Sequence, residues 1–297
     1  SIKYKWRLKI ERVLILGSTG LAGQAFYKAI DTTKIGVVGV ARKNSDLNSD
    51  ISNLKTLEEL LSEITPSYII NCAALTDLKH CENNWEAAWS LNAMVPTFLA
   101  QWSSKTNCPV LHISTDHFFS DINPILHSEE DKVSLKNEYA RSKYAGECLA
   151  RLSKNTLAIR TSIIGKRGWA SQTFAEWAYN GILTQKKLNL FDDSFTSSIA
   201  IKSFVKVSLE LFFNHRATGL FNIGSCEVYS KADFVLEMAR QLKIDLLDPK
   251  ICSIEDFNLI SAKNLGLNVS KAENILSQRL PTLEETVSEV IDHMVNG

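Results

Sequence analysis

From residue 12 the chain alternates short continuous apolar runs with stretches whose apolar positions recur every three or four residues. RVLIL (12–16), IGVVGVA (35–41), SYIINCA (67–73), CPVLHIST (108–115) and TLAIRTS (156–162) read as strands buried on both faces. Helical patterns fall between them: from the Gly-rich punctuation after Leu16 to about Ile30, around Leu54–Ile64, over Trp85–Ser103 and over Asn137–Lys154. This alternation predicts an α/β protein with a doubly wound parallel sheet, helices on both faces. After about residue 163 the rhythm loosens. GLFNIGS (219–225) still reads as a strand and Lys231–Leu242 as an amphipathic helix, while 165–200 and 245–285 are irregular.

The pattern divides the chain into an arm over 1–12, a regular α/β domain over 13–163, and a smaller, discontinuous C-terminal lobe over 164–297. Segments at about 201–225 return from that lobe to the first domain. In the arm, Ile2, Tyr4, Trp6, Leu8 and Ile10 alternate with Lys3, Lys5, Arg7 and Lys9. Such a period of two suits a half-buried strand or an arm laid on a partner.

Composition narrows the partners. The 297 residues correspond to two domains at about 150 residues each. With 33 basic and 33 acidic residues there is no global field for nucleic acid or an anionic membrane, and neither is expected as a partner. Any bound anion must be held by a local device. The six cysteines form no C-x-x-C pair, and His80-Cys81 has no matching second pair, so no metal site is predicted. Free thiols in apolar runs suit a reducing compartment, and a cytoplasmic location is expected. No apolar run approaches the roughly 18 residues that span a bilayer, and the N-terminus lacks a leader's apolar region.

The anion device stands directly after the first strand. In RVLILGSTGLAGQAF, Gly17, Gly20 and Gly23 fall where a strand turns into a helix. That placement allows a tight turn, backbone approach to a pyrophosphate and close helix–sheet packing, the Rossmann fingerprint of a dinucleotide site. The helix N-terminus adds amide donors and partial positive charge. At the end of the second strand stands Arg42, followed by Lys43, where NAD sites place a carboxylate. A cation there accommodates a 2′-phosphate, so NADP(H) is expected, with NAD(H) as the alternative. Asp50 and Ile51, before the second helix, suit an adenine-contacting loop.

A second constellation points to chemistry. Thr115 ends the fourth strand, and Tyr139 and Lys143 are spaced to share a face of the following helix. A tyrosine with a pKa near 10 exchanges a proton at neutral pH only if a cation stabilises its phenolate. Lys143 supplies that cation and a hand for the nicotinamide ribose, while Thr115 orients a substrate carbonyl. His117, just past the STD segment, is expected to line a substrate pocket, and His112 within the strand reads as core. Thr161 lies at the carboxyl end of the fifth strand, where open α/β sheets bind ligands. Trp85, Trp89 and Trp102 share one helical pattern and read as packing or a subunit contact.

These pieces carry a resemblance. GSTGLAG, NCAALTD, WSLNAMVPTFLA, HISTDHFF, NEYARSKYAGE, LAIRTSIIG, GLFNIGS and LNVSKAENIL are similar to an extended short-chain dehydrogenase/reductase, most of all to dTDP-4-dehydrorhamnose reductases. The resemblance implies a Rossmann domain for NADP(H) and a smaller lobe for a nucleotide-linked deoxysugar. It implies cofactor contacts at Thr19, Leu21, Ala73 and Ala74, an ordering role for Asn92, and substrate contacts at Thr76 and Asp116. A homodimer is expected. Departures accompany the likeness: Ala140 follows the tyrosine where the family commonly has Gly, and Ser197-Ser198 replace a Pro-containing loop. Ser261-Ala262 stand where the family has Arg-Pro, leaving Lys263 as the substitute cation for a diphosphate. The expected activity is NADPH-dependent reduction of a nucleotide sugar's keto group. The alternatives are a sugar-nucleotide epimerase or dehydratase, and a non-catalytic subunit like the regulatory subunit of methionine adenosyltransferase.

Overall fold

The computed structural model describes residues 11–119, 125–168, 172–257 and 263–296. The expected arm, apart from its last two residues, and Ser261-Ala262 lie outside the described residues. The elements run β1 (Arg12–Leu16), α1 (Leu21–Ala29), β2 (Gly36–Ala41), β3 (Leu47–Asn48), α2 (Leu54–Ile64), β4 (Tyr68–Asn71), α3 (Leu78–Asn83), α4 (Trp85–Trp89), a π-turn (Ser90–Met94), α5 (Val95–Thr106), β5 (Val110–Ile113), α6 (Glu138–Ala150) and β6 (Thr156–Thr161). They continue with β7 (Ile163–Ile164), α7 (Phe174–Leu183), β8 (Asn189–Phe191), β9 (Phe195–Thr196), β10 (Ile199–Ala200), α8 (Ile201–Leu209), β11 (Gly219–Ile223), β12 (Tyr229–Ser230), α9 (Lys231–Leu242), β13 (Lys250–Cys252), β14 (Asn264–Leu265), α10 (Ser270–Leu276) and α11 (Leu283–Asn296).

The chain divides into two compact units: Ser1–Thr115 with Leu135–Ile159 and Phe212–Leu220, and Asp116–Ser134 with Arg160–Leu211 and Phe221–Gly297. The main sheet has seven strands in the order β11-β6-β5-β4-β1-β2-β3. Pairing is parallel from β3 across β1 to β6, with Leu16 beside Val40 on one side and Asn71 on the other, and Asn71 beside His112. Strand order reverses beside β1, so β1 and β4 end at the crevice where such sheets bind ligands.

The apolar runs close one core layer. Leu14, Leu16, Val38, Val40, Ile69 and Val110 pack with Leu57 and Leu61 of α2 and Val95 and Leu99 of α5. Ile51 belongs to this core and is buried, so its side chain supports the sheet. α2 begins where the Asn53 side chain accepts the amides of Lys55 and Thr56. It ends at Thr65 in the left-handed region.

The single helix expected over Trp85–Ser103 is interrupted by the π-turn. Pro96 lacks the amide that would bond the Asn92 carbonyl, so the ladder opens there. Gly146 of α6 meets that carbonyl so closely that a Cβ would lie 2.0 Å from it. α6 therefore lies against the turn with no side chain between.

The second unit has its own core. Ala175, Ala178 and Ile182 of α7, Phe234, Val235 and Met238 of α9, and Val287 and Val290 of α11 pack together. Capping boxes Thr173/Glu176 and Ser230/Asp233 start α7 and α9. The irregular regions resolve into very short strands: β9 pairs antiparallel with β12 and parallel with β14, and β8 pairs with β13. Ser197, in the departure from the family loop, is fully buried. Its hydroxyl accepts the Leu267 amide at 2.8 Å and its carbonyl accepts the Ser225 amide at 2.7 Å. Among the described residues, no helix is long and apolar enough to cross a membrane.

Candidate active site

Gly17 leaves β1 at φ +76° with its amide and that of Ser18 both donating to the Val40 carbonyl. A Cβ at Gly17 would lie 2.8 Å from the Ala73 backbone, and one at Gly23 only 2.2 Å from the Gly17 carbonyl oxygen. These two glycines set backbone against backbone. Gly20 differs: a Cβ there would have the Gly17 oxygen at 3.4 Å as its nearest neighbour, so the space over the turn is open. Gly20 is also the N-cap of α1, and no side chain caps the helix. Thr19 is half-buried and its carbonyl accepts from Gln24, while Leu21 is the first helical residue. The turn is thus a backbone cradle with amides available for an anion, the feature a pyrophosphate requires. The residues fit a dinucleotide.

At the far end of this cradle Arg42 is exposed, directly after β2. Asp50 is held below the usual carboxylate range by hydrogen bonds from the Ser52 hydroxyl and amide, with the Arg42 charge adding to it. The Asp50 oxygen accepting from Ser52, at 2.7 Å and 3.1 Å, shapes the loop that carries Ile51 into the core. On the other side, Asn71 accepts the Ala73 amide at 3.2 Å and so fixes the segment after β4. Ala73 and Ala74 are half-buried and Thr76 is exposed. Asn92, fully buried on the π-turn, accepts the Leu75 amide at 2.8 Å and donates to the Leu75 carbonyl and to Ser142. Its side chain ties this loop to α6.

α6 starts at the Asn137 cap, whose side chain accepts the Ala140 amide at 2.8 Å. Tyr139 follows and is 8% exposed, packed in a cluster with Cys81 and Ala88, flanked by Leu75 and Leu78. One turn on, Lys143 is buried and its Nζ donates to the Ile113 carbonyl at 2.6 Å. Ile113 ends β5 two residues before Thr115, which is itself buried. The Lys143–Ile113 hydrogen bond thus joins α6, which carries Tyr139 and Lys143, to the end of β5, two residues before Thr115, within the first unit. Burial lowers the Lys143 pKa to about 8, opposed chiefly by the negative field of Glu147. His112 is a core residue whose Nδ1 accepts from Asn71 at 3.1 Å. Burial, then the Lys143 charge, hold it far below the usual histidine range.

The remaining candidates lie in the second unit. Asp116 and Thr161 are buried and joined by the Asp116 amide donating to the Thr161 carbonyl at 3.2 Å. The Thr161 hydroxyl is buried without a hydrogen-bond partner among the described residues. His117, one-third exposed, has Nε2 3.9 Å from the Asp116 carboxylate. Lys263 is already paired, its ammonium 2.7 Å from Glu255 and 3.5 Å from Asp193. Asp193 in turn accepts the Ser253 hydroxyl and the Ile254 amide, so the Asp192-Asp193 turn is anchored.

Sequence reasoning did not single out Ser114, Glu147 or Lys231. Ser114 Oγ donates to buried Glu147 at 2.8 Å, and Lys231 is electrostatically coupled to Asp116. For Glu147 a signal existed, its spacing of four from Lys143 on one helix.

Comparison with known proteins covers almost the whole chain. A family model described as the RmlD substrate binding domain matches residues 11–296. A probable low-salt glycan biosynthesis reductase of Haloferax volcanii is 27% identical over 286 residues, spanning 92% of this chain and 95% of that protein. The β subunit of methionine adenosyltransferase 2 of Rattus norvegicus is 32% identical over 139 residues, 46% of this chain and 41% of that protein. Among solved structures, a Bacillus anthracis dTDP-4-dehydrorhamnose reductase in complex with NADP has a TM-score of 0.85 at 21% identity, covering 96% of this chain and 99% of that one. The fold is shared.

Proposed function

The chain belongs to the RmlD substrate binding domain family, and from that premise we propose that it is an NADPH-dependent reductase acting on the keto group of a nucleotide-activated deoxysugar. The observation that carries the reading is the Lys143–Ile113 hydrogen bond, which supports Thr115, Tyr139 and Lys143 acting as one site. The Gly17–Gly23 cradle, with Thr19, Leu21, Ala73 and Ala74, would hold NADP(H), and Arg42 would take its 2′-phosphate. When bound, that cofactor supplies the hydride.

The chain's own residues do the rest. Thr115 donates its hydroxyl to the carbonyl oxygen and fixes its direction. Tyr139 gives its phenolic proton to that oxygen as negative charge develops there. Lys143, one turn away, stabilises the phenolate left behind and binds ribose hydroxyls. The low exposure of all three limits water around the proton being moved. Asp116, His117 and Thr161 are assigned to the sugar nucleotide, the orphaned Thr161 hydroxyl being available to a ligand, while Lys263, expected to grip a diphosphate, is left to its partners Glu255 and Asp193. The proposal includes a cytoplasmic setting and a homodimer.

The test is Tyr139→Phe. Turnover of nucleotide keto-sugars is lost while NADPH affinity stays within about threefold, because the lost hydroxyl acts on substrate. Retained turnover contradicts the assignment. A second reading is supported by the stretch shared with the methionine adenosyltransferase β subunit: a regulatory subunit, which would bind cofactor, co-elute with a catalytic partner and turn over no keto-sugar. An epimerase or dehydratase would turn over sugar without net NADPH consumption.

A further inference from the structure

Behind Lys143 the structure buries a second charge. Glu147 is fully buried, one turn further along α6 on the face that carries Lys143. A buried carboxylate persists as an ion only where hydrogen bonds and an opposite charge replace water. Glu147 has both. Ser114 Oγ donates to its Oε2 at 2.8 Å, and its negative field acts on Lys143.

The geometry links three consecutive residues of the segment at the end of β5. The Ile113 carbonyl accepts from Lys143, the Ser114 hydroxyl binds Glu147, and Thr115 is the proposed carbonyl-orienting residue. Two residues of α6, one turn apart, thus hold two neighbouring residues of this segment, and Thr115 comes next.

We propose, resting on the reductase reading, that Glu147 is a positioning residue: a buried counter-charge, latched by Ser114, that keeps Lys143 an ammonium and fixes Thr115 against α6. The other groups facing Lys143 do not supply this charge at neutral pH. Desolvation pushes the Cys72 thiol far up, so it is neutral, and His112 is neutral because its pKa lies well below the ordinary value. Tyr139, on the same helix, is the group Lys143 serves. Removing the Glu147 charge leaves burial unopposed except by dipoles, and the ammonium loses its proton at lower pH.

Glu147→Gln tests this directly, because the amide oxygen still accepts from Ser114 while the charge is gone. The readout is the titration midpoint of Lys143 by carbon-13 lysine NMR, its resonance assigned by loss in Lys143→Arg. The expected result is a midpoint at least one pH unit lower than in the wild type, a tenfold loss of proton affinity. The alkaline limb of kcat/KM moves down with it, which a purely structural role does not produce. An unchanged midpoint overturns the proposal. If Glu147→Gln does not fold, Glu147→Asp and Glu147→Asn serve as a matched pair, having lost the same methylene. Equal midpoints in that pair overturn it, and a higher midpoint in the Asp variant supports it. If the wild type reduces no keto-sugar, the reductase reading fails, while the titration still decides the role of Glu147.

Discussion

Gly20 and Gly23 are three residues apart in one turn, yet replacing each with alanine has opposite consequences. At Gly23 the added methyl carbon would sit 2.2 Å from the Gly17 carbonyl oxygen and 2.7 Å from the Ser18 Cα. Ordinary contact needs more than an ångström of further separation. The turn cannot give it freely, because the Gly17 and Ser18 amides are bonded to Val40 at 2.8 and 3.1 Å. Overpacking of this kind costs about 1–3 kcal/mol, and alanine's better helix propensity returns about 1 at most. Gly23→Ala should therefore lower stability by about 1–2 kcal/mol, read as a lower urea midpoint at constant slope. At Gly20 the methyl meets nothing nearer than 3.4 Å, at a φ of −74° that alanine adopts. Stability should stay within about 0.5 kcal/mol. The methyl does fill the space over the turn, where backbone would approach a pyrophosphate. Loss of one or two charge-assisted hydrogen bonds, about 1.5–3 kcal/mol each, weakens NADPH binding by about tenfold or more. Fluorescence titration measures it. A Gly20→Ala protein that is equally stable and binds NADPH as the wild type does refutes the cradle.

Arg42→Ala should weaken NADPH about tenfold or more and leave NADH nearly unchanged, since only NADPH carries the 2′-phosphate. Equal losses for both cofactors would show that Arg42 does not read that phosphate. Lys263→Met should leave the substrate KM within about threefold, because Glu255 and Asp193 already hold the ammonium. A rise of tenfold or more would show that it leaves them for a diphosphate.

The main sheet was legible because its strands are buried on both faces, so apolar runs such as RVLIL and TLAIR mark them without reference to the rest of the chain. What depended on distant contacts was not. The break in the Trp85–Ser103 helix rests on Pro96 and on Gly146 of another helix. β9 has two residues and exists only because β12 and β14 pair with it from far along the chain. Ile51, expected in a loop beside adenine, also packs its side chain into the core, which the loop pattern alone does not show. For the proposed site, the place of Tyr139 and Lys143 on one helix was legible from their spacing, and that of Thr115 just past a strand from the apolar run before it. The Ser114–Glu147 hydrogen bond crosses 33 residues of sequence, and nothing local announces it. Nor does local sequence reveal that Lys263 is paired with Glu255 and Asp193.

The chemistry follows from this arrangement. The chain has equal numbers of positive and negative side chains, so on the proposed function its devices for charge are local: a glycine cradle, Arg42 after a strand, and a buried lysine one helical turn from a buried carboxylate. Burial draws the Lys143 pKa down to about 8. On the proposed mechanism, the ammonium assigned to Tyr139 is present below that value, and turnover should decline as pH rises through it.

The most direct measurement follows the hydrogen itself. NADPH carrying deuterium at the transferable position is incubated with the protein and nucleotide-linked 4-keto-deoxysugars, and the product is examined by mass spectrometry and NMR. The reductase reading predicts one deuterium on the new carbinol carbon for each NADPH oxidised. A product without deuterium, or no NADPH oxidation with any keto-sugar by protein that binds the cofactor, would contradict it.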